Sequence, residues 1–304
     1  MWRRGTAVAI ALLGAALAAA GCGVGAGEGV GEVSLTVTRD YGAEQVLPAV
    51  TVEASESDTV MRVLDREAEI STRYGGGFVQ AIDGLEAERA GGLSWDWFFY
   101  VDGVLSSVGA ADYELRGGEA IWWDYREWSR ASQVPAVVGS WPRPLVGGYD
   151  GEPRPVVLEC SGGGVACGEA RRRLSEAGVE LAGGEPDGSI RVLVGPWARL
   201  REDPAAAQLE RGPKASGVFA EFASRGEGFS LSGLDQGGEI AREFGPAAGL
   251  VAATRRYDAP PVWLVTGVSA RGVQAAASLL DAAHLRHRYA VATEGGEETP
   301  LPVR

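Results

Sequence analysis

Val33-Ser-Leu-Thr-Val-Thr38 alternates apolar and polar residues, and the alternation returns over 46–54 after a break at Tyr41-Gly42. A period of two puts one face of each run against a core, so the pair predicts a β-hairpin. Ser57-Asp58-Thr59 then offers capping side chains, and Val60, Leu64 and Ala68, spaced four apart, make a single apolar stripe on a helix of about three turns. Further strands are predicted at 78–82, 97–101 and 120–125, with Asp83-Gly84 and Asp102-Gly103 as turn formers carrying no chemistry.

Beyond Ser129 the chain turns to Pro, Gly and Val, including Trp141-Pro-Arg-Pro and Gly147-Gly148, which reads as a linker or a strap across the first module. Trp141 is a candidate plug for exposed aromatic surface there. From Pro155 the pattern becomes strand, Gly-rich turn and helix: a strand at 156–160, then a helix with Ala170, Leu174 and Ala177 inward and Arg171 to Arg173 largely outward. Strands follow at 190–194, 218–222, 229–231, 250–254 and 262–266, then one helix over 269–283 and a strand at 289–292. Pro155-Val-Val-Leu158 and Pro261-Val-Trp-Leu264 each open a strand-helix-strand unit, a faint internal repeat. The fold class predicted is α+β: an N-terminal β-grasp (ubiquitin-like) module over 32–130, a Pro/Gly linker over 131–154, an α/β sandwich domain with a mixed sheet over 155–294, and a tail over 295–304.

Six of the nine tryptophans fall between Trp95 and Trp141. In the strand Trp97-Phe-Phe-Tyr-Val101, Trp97 and Phe99 point to one side and Phe98 and Tyr100 to the other, and one core cannot cover both faces. The uncovered set, or the adjacent Trp122 and Trp123, calls for a cover: an external ligand or the chain's own second domain.

The first 21 residues differ from the rest. Arg3 and Arg4 precede an uninterrupted small and apolar run from Gly5 to Ala20, and no acidic residue appears before Glu28, the pattern of a secretion signal. It ends in Leu17-Ala-Ala-Ala-Gly21-Cys22, which resembles the lipobox of bacterial lipoproteins and departs from it at Ala19, where that family usually carries Leu. The resemblance implies lipidation at Cys22, a flexible tether over 22–31 and an extracytoplasmic protein anchored to the cell membrane; a signal with an incidental cysteine is the alternative. The whole chain carries a formal charge of −13, and removal of residues 1–21 takes two arginines with it, so phosphate backbones are repelled and nucleic acid is excluded as a partner. Cys160 and Cys167 remain, an exported pair read as one disulfide; a metal site there lacks His or further Cys ligands.

Gly77-Phe-Val-Gln-Ala-Ile-Asp-Gly-Leu85, the Trp-rich strand, Gly109-Ala-Ala-Asp-Tyr113 and Gly118-Glu-Ala-Ile121, in that order, resemble the C-terminal β-domain of transcobalamin and intrinsic factor, as found in bacterial transcobalamin-like C-terminal domains. The resemblance covers 32–128. It implies one lid of a corrinoid clamp, with ligand contacts at Phe78, Trp97 and Phe99 and at Leu105 to Val108, and cobalamin as a ligand in place of any cofactor. The large helical barrel of the animal proteins is absent, and neither His284 nor His287 lies in the module. Tyr113 reads as a turn-packing residue.

Catalysis is not expected. Ser161-Gly-Gly-Gly164 matches neither the Walker pattern nor the dinucleotide fingerprint, and Gly228-Phe-Ser-Leu-Ser has Ser232 where a nucleophile elbow needs Gly. Both histidines lie in His284-Leu-Arg-His287, without a third metal ligand nearby. Two functions remain: a membrane-tethered small-molecule receptor linked to uptake, or a cell-envelope interaction or adhesion protein that binds protein or polysaccharide with no small ligand.

Overall fold

The computed structural model describes residues 28–304 except 163, 185 and 227. The signal, Cys22 and most of the tether therefore lie outside the described residues. The end of the expected tether is not loose chain: β1 (Gly29–Arg39) already pairs Gly29 with Ser55 and Gly31 with Ala54 of β2 (Glu44–Ser55).

α1 (Val60–Glu67) follows, capped by the Thr59 hydroxyl accepting from the Arg62 N–H, and it buries Val60, Met61, Val63 and Leu64. Next come β3 (Ile70–Arg73), β4 (Phe78–Ile82), β5 (Leu85–Glu86), β6 (Glu88–Ala90), β7 (Leu93–Val101), β8 (Val104–Leu105) and β9 (Ala120–Glu127). The main sheet runs β2-β1-β9-β7-β6, with β8 also on β7, and its central pair β1 and β9 is parallel. Asp83-Gly84 and Asp102-Gly103 both hold positive φ, the left-handed geometry that tight two-residue hairpin turns need.

Register decides what each face of this sheet buries. Phe99 lies opposite Trp123 and Tyr100 opposite Trp122, so the two aromatic sets separate cleanly. Trp97, Val101, Ile121, Trp123 and Tyr125 pack with α1 and the β1–β2 hairpin in a core belonging to the first module. Tyr100 and Trp122 instead join a core built mainly from residues beyond Val134, including Trp197, Phe219 and Tyr289. The cover for the second aromatic face is thus the chain's own second half.

That half holds β10 (Val156–Cys160), α2 (Gly164–Glu176), β11 (Ile190–Pro196), α3 (Trp197–Leu200), α4 (Pro213–Ser216), β12 (Ala220–Arg225), β13 (Gly228–Leu234), β14 (Ile240–Glu243), β15 (Gly249–Thr254), β16 (Val262–Gly267), α5 (Ala270–Ser278), α6 (Ala282–Leu285), β17 (Ala290–Glu294) and β18 (Glu297–Leu301). A mixed sheet runs β10-β11-β16-β15-β17-β18, its first three strands parallel, and β12 to β14 form a smaller antiparallel sheet. One face of the mixed sheet packs on α2 and α5, burying Leu174, Trp263 and Val273. The other meets the first module.

Three expectations are corrected. Residues 295–304 are no tail: β18 completes the mixed sheet through a Gly295-Gly296 turn at positive φ, and Leu301 is buried. The single helix over 269–283 is two, because Asp281 accepts from the Ala283 and His284 N–H groups and starts α6 afresh. Trp141 plugs no aromatic surface of the first module; it packs on Trp263 of the second half, ring centroids 5.6 Å apart. The segment 131–154 is a packed strap, with Val134 and Val137 in one core and Val138 and Leu145 in another.

Cys160 and Cys167 form the disulfide, tying the end of β10 to α2. Closing so short a loop stabilises by about 2 kcal/mol. Changing both cysteines to serine is expected to lower the urea midpoint accordingly without altering the denaturant slope; an unchanged midpoint would show that the bridge constrains nothing.

Candidate ligand cleft

The outer edge of β7 is only partly paired. Leu93 to Trp95 meet β6 and Tyr100 to Val101 meet β8, while Asp96 to Phe99 have no ladder partner on that side among the described residues. The start of β4 and the 105–110 loop stand across this gap. They enclose an apolar cleft of about 320 Å³, lined by Phe78, Trp97, Phe99, Leu105 and Trp123, with Ser132 and Gln133 of the strap at one side.

Its aromatic floor is fixed. The Trp97 indole N–H donates to the Leu85 carbonyl at 3.0 Å and the Tyr125 hydroxyl to the Glu86 carbonyl at 2.8 Å, with the two rings 5.2 Å apart. Phe99 lies 4.9 Å from Trp123 at an interplanar angle of 31°. Phe98, which also borders the cleft, is held by the Arg126 guanidinium 3.8 Å from its ring centre. Accessible ring surface comes from the rim: Phe78 is 37% exposed, whereas Trp97, Trp122 and Trp123 are all under 5%.

The structure thus brings four of the predicted contacts, Phe78, Trp97, Phe99 and Leu105, to one cleft. Val108 is not among its lining residues and stands 49% exposed. Tyr113 is buried, its hydroxyl donating to Glu119 Oε1 at 3.1 Å, as a turn-packing residue would be.

Phe78 is also a wall of a second cleft, of about 440 Å³, shared with Tyr74, Gln80, Trp95 and Trp128 and with the charged Arg73, Glu88, Arg89 and Asp96. Burial raises the Asp96 carboxyl above its usual range, opposed by the Trp97 N–H that it accepts and by Arg73 and Arg89. Composition and spacing do not single out Gln80 or Trp128. The one available signal is a lone polar residue inside the otherwise apolar Phe78-Val-Gln-Ala-Ile82.

Several ionisable groups elsewhere make structural contacts. Asp124 is fully buried between the halves and accepts from the Thr38 hydroxyl (2.6 Å), the Tyr41 and Gly42 N–H groups (3.0 Å each) and the Tyr289 hydroxyl (3.0 Å). Burial is the largest influence on its pKa and pushes it up to about 6. Asp102, in the β7–β8 turn, is likewise pushed up to about 7 by burial, partly offset by Arg143 of the strap. His284 Nδ1 lies 2.6 Å from Asp281, His287 packs on Trp122, and among the described residues no group of three or more His, Cys, Asp or Glu could hold a metal ion. No helix among them is long and apolar enough to cross a membrane.

These features define an α+β protein whose N-terminal β-module carries an aromatic cleft at an open strand edge. Residues 57–127 match the family model described as Domain of unknown function (DUF4430), a span that runs from just before α1 to the end of β9 and includes the aromatic floor of the cleft. No curated protein matches the chain.

Proposed function

We propose that the protein is a non-catalytic, extracytoplasmic binding protein, tethered through a lipid on Cys22, whose aromatic cleft takes the edge of a flat ring-bearing ligand, with a corrinoid the leading candidate. The observation that carries this reading is the gathering of Phe78, Trp97, Phe99 and Leu105 around one apolar cleft beside an unpaired strand edge. Support comes from the association of the matched domain model with transcobalamin-like domains. The parallel pairing of the first and last long strands of the module, with α1 packed on their sheet, is the arrangement that a β-grasp module requires. A role in uptake follows from a receptor held at a membrane surface.

The size of the cleft limits what it can hold. Drug-sized ligands fill roughly 300 to 1,000 Å³, so about 320 Å³ admits one edge of a corrinoid and leaves the rest for another surface. A second reading, an envelope protein that binds protein or polysaccharide and no small ligand, draws on the enclosure of Trp97, Trp122 and Trp123 by the chain itself.

Titration with cyanocobalamin, following tryptophan emission corrected for absorbance, separates the two. Saturable quenching is expected, weakened about tenfold or more by Phe99→Ala, since truncating a buried aromatic contact costs roughly 1 to 3 kcal/mol of binding. No saturable quenching up to high micromolar ligand removes the receptor reading and leaves the interaction protein.

A further inference from the structure

Arg126 of β9 is fully buried, yet it reaches the border of the aromatic cleft from behind. Its guanidinium lies 3.8 Å from the centre of the Phe98 ring and 5.6 Å from that of Tyr41. Nη1 donates to the Ala131 carbonyl at 2.8 Å and to the Glu127 carbonyl at 3.4 Å, and Nη2 to the Ser132 carbonyl at 3.5 Å. Phe98, Ser132 and Gln133 all line the cleft. Ser132 and Gln133 are exposed between the buried Ala131 and Val134 and belong to no helix or strand, so they form a lip on one side of it. Behind Arg126, the Tyr41 ring packs edge-on to Phe219 at 5.1 Å and to Tyr289 at 4.9 Å, both of the second half. A line of contacts therefore runs from the second half through Tyr41 and Arg126 to Phe98 and the lip.

Stability alone does not account for an arginine at this place. Removing a guanidinium from water is costly, and buried charged groups are often replaceable by apolar residues without loss. An apolar side chain cannot, however, fix neighbouring carbonyls and an aromatic ring together. The planar fork does both, since its edges donate in set directions while its faces stack on rings. Two exposed residues outside any regular element are otherwise free to move. A ligand that meets a lip already in place loses less conformational freedom on binding.

We infer that Arg126 is the positioning residue of the cleft: it holds Phe98 and the Ser132–Gln133 lip in place from behind, so that the second half sets the shape of a site it does not itself line. The consequence for binding rests on the reading of the cleft as a ligand site; the hold on the lip does not.

Two measurements on the full chain separate these. Native-state trypsin digestion reads the lip, because the exposed Arg130 immediately precedes Ala131 and cleavage after it tracks local opening. Cyanocobalamin quenching of tryptophan emission reads the site. Arg126→Lys keeps the charge and loses the fork, and is expected to speed cleavage after Arg130 about tenfold, with the other tryptic sites unchanged, and to weaken cyanocobalamin about tenfold. Cys160→Ser with Cys167→Ser, which lowers stability outside this line of contacts, is expected to change neither. Cleavage after Arg130 as slow in Arg126→Lys as in the native protein overturns the inference. So does faster cleavage with native affinity, or an equal loss of affinity in the double serine variant, which marks a general effect of stability. If Arg126→Lys does not fold, Ser132→Gly with Gln133→Gly loosens the lip from the solvent side and decides in its place: weaker cyanocobalamin binding supports the inference and native affinity overturns it. No saturable quenching by the native protein, with Arg130 released in Arg126→Lys, removes the receptor reading and leaves Arg126 holding the lip.

Discussion

Asp124→Ala is expected to destabilise the protein by about 3 to 5 kcal/mol, the cost of breaking a buried charged network by removing one partner. The carboxylate accepts four hydrogen bonds, from Thr38, Tyr41 and Gly42 in the first module and from Tyr289 in the second half. Alanine leaves the two main-chain N–H groups without their acceptor in a dry interface, and neither can rotate to find another. Asp124→Asn keeps one acceptor oxygen and is expected to cost less. The same pair of variants carries a pH signature. The native pKa of Asp124, about 6, lies above its ordinary value of 3.8, so between those values the folded protein binds more protons than the unfolded chain. Stability from this group is therefore highest below about pH 4, falls as pH rises to about 6, and is level above. The difference corresponds to about 3 kcal/mol. Urea unfolding from pH 4 to pH 7.5 should show the decline in the native protein and a shallower one in Asp124→Asn, the remainder belonging to Asp102, Glu119 and Asp96, whose carboxyls burial also raises, and being opposed by His287, whose imidazole burial lowers. An identical slope in both proteins would mean that Asp124 does not titrate in the folded state.

The second large effect is expected at Trp122. Its ring is 2% exposed, stands edge-on to Tyr289 at 5.4 Å, and donates through Nε1 to Thr38 Oγ1 at 2.7 Å. Trp122→Ala should cost about 3 to 5 kcal/mol, as for other buried large-to-small changes. The surrounding backbone is fitted to the ring: a Cβ on Gly139 would fall 2.5 Å from Trp122 Cζ3 and 2.7 Å from the Arg288 nitrogen. Gly139→Ala is therefore destabilising in the native protein, and in the Trp122→Ala background its cost should shrink without vanishing, because the Arg288 backbone remains in the way. Since this contact joins the two halves, unfolding should be one cooperative transition by both tryptophan emission and far-ultraviolet circular dichroism. Two separated transitions would show that the halves fold independently and that the shared core contributes little.

A good part of the architecture is legible along the chain. Alternation over 33–38 and 46–54 marks β1 and β2, and 78–82 and 156–160 coincide with β4 and β10. Val60 and Leu64 of the expected stripe mark α1, which is shorter than the three turns predicted: it ends at Glu67, and Ala68 is already extended. Asp-Gly pairs locate two turns, since left-handed backbone favours such residues. Where local chemistry competes, the reading fails: Asp281 caps a new helix inside an apolar stripe that continues through it, and the closing strand hides behind polar Glu297 and Glu298 because β18 is an edge strand with one face in water.

Periodicity reports that a face is buried but carries no information on what buries it. The sequence by itself determined that β7 is aromatic on both faces and that two cysteines lie within reach of each other. Only the tertiary structure decided that Tyr100 and Trp122 are covered by the chain's own second half and that Phe78 and Phe99 share a cleft. These outcomes depend on sheet register and on contacts between residues far apart along the chain, and no local pattern encodes which distant surface arrives.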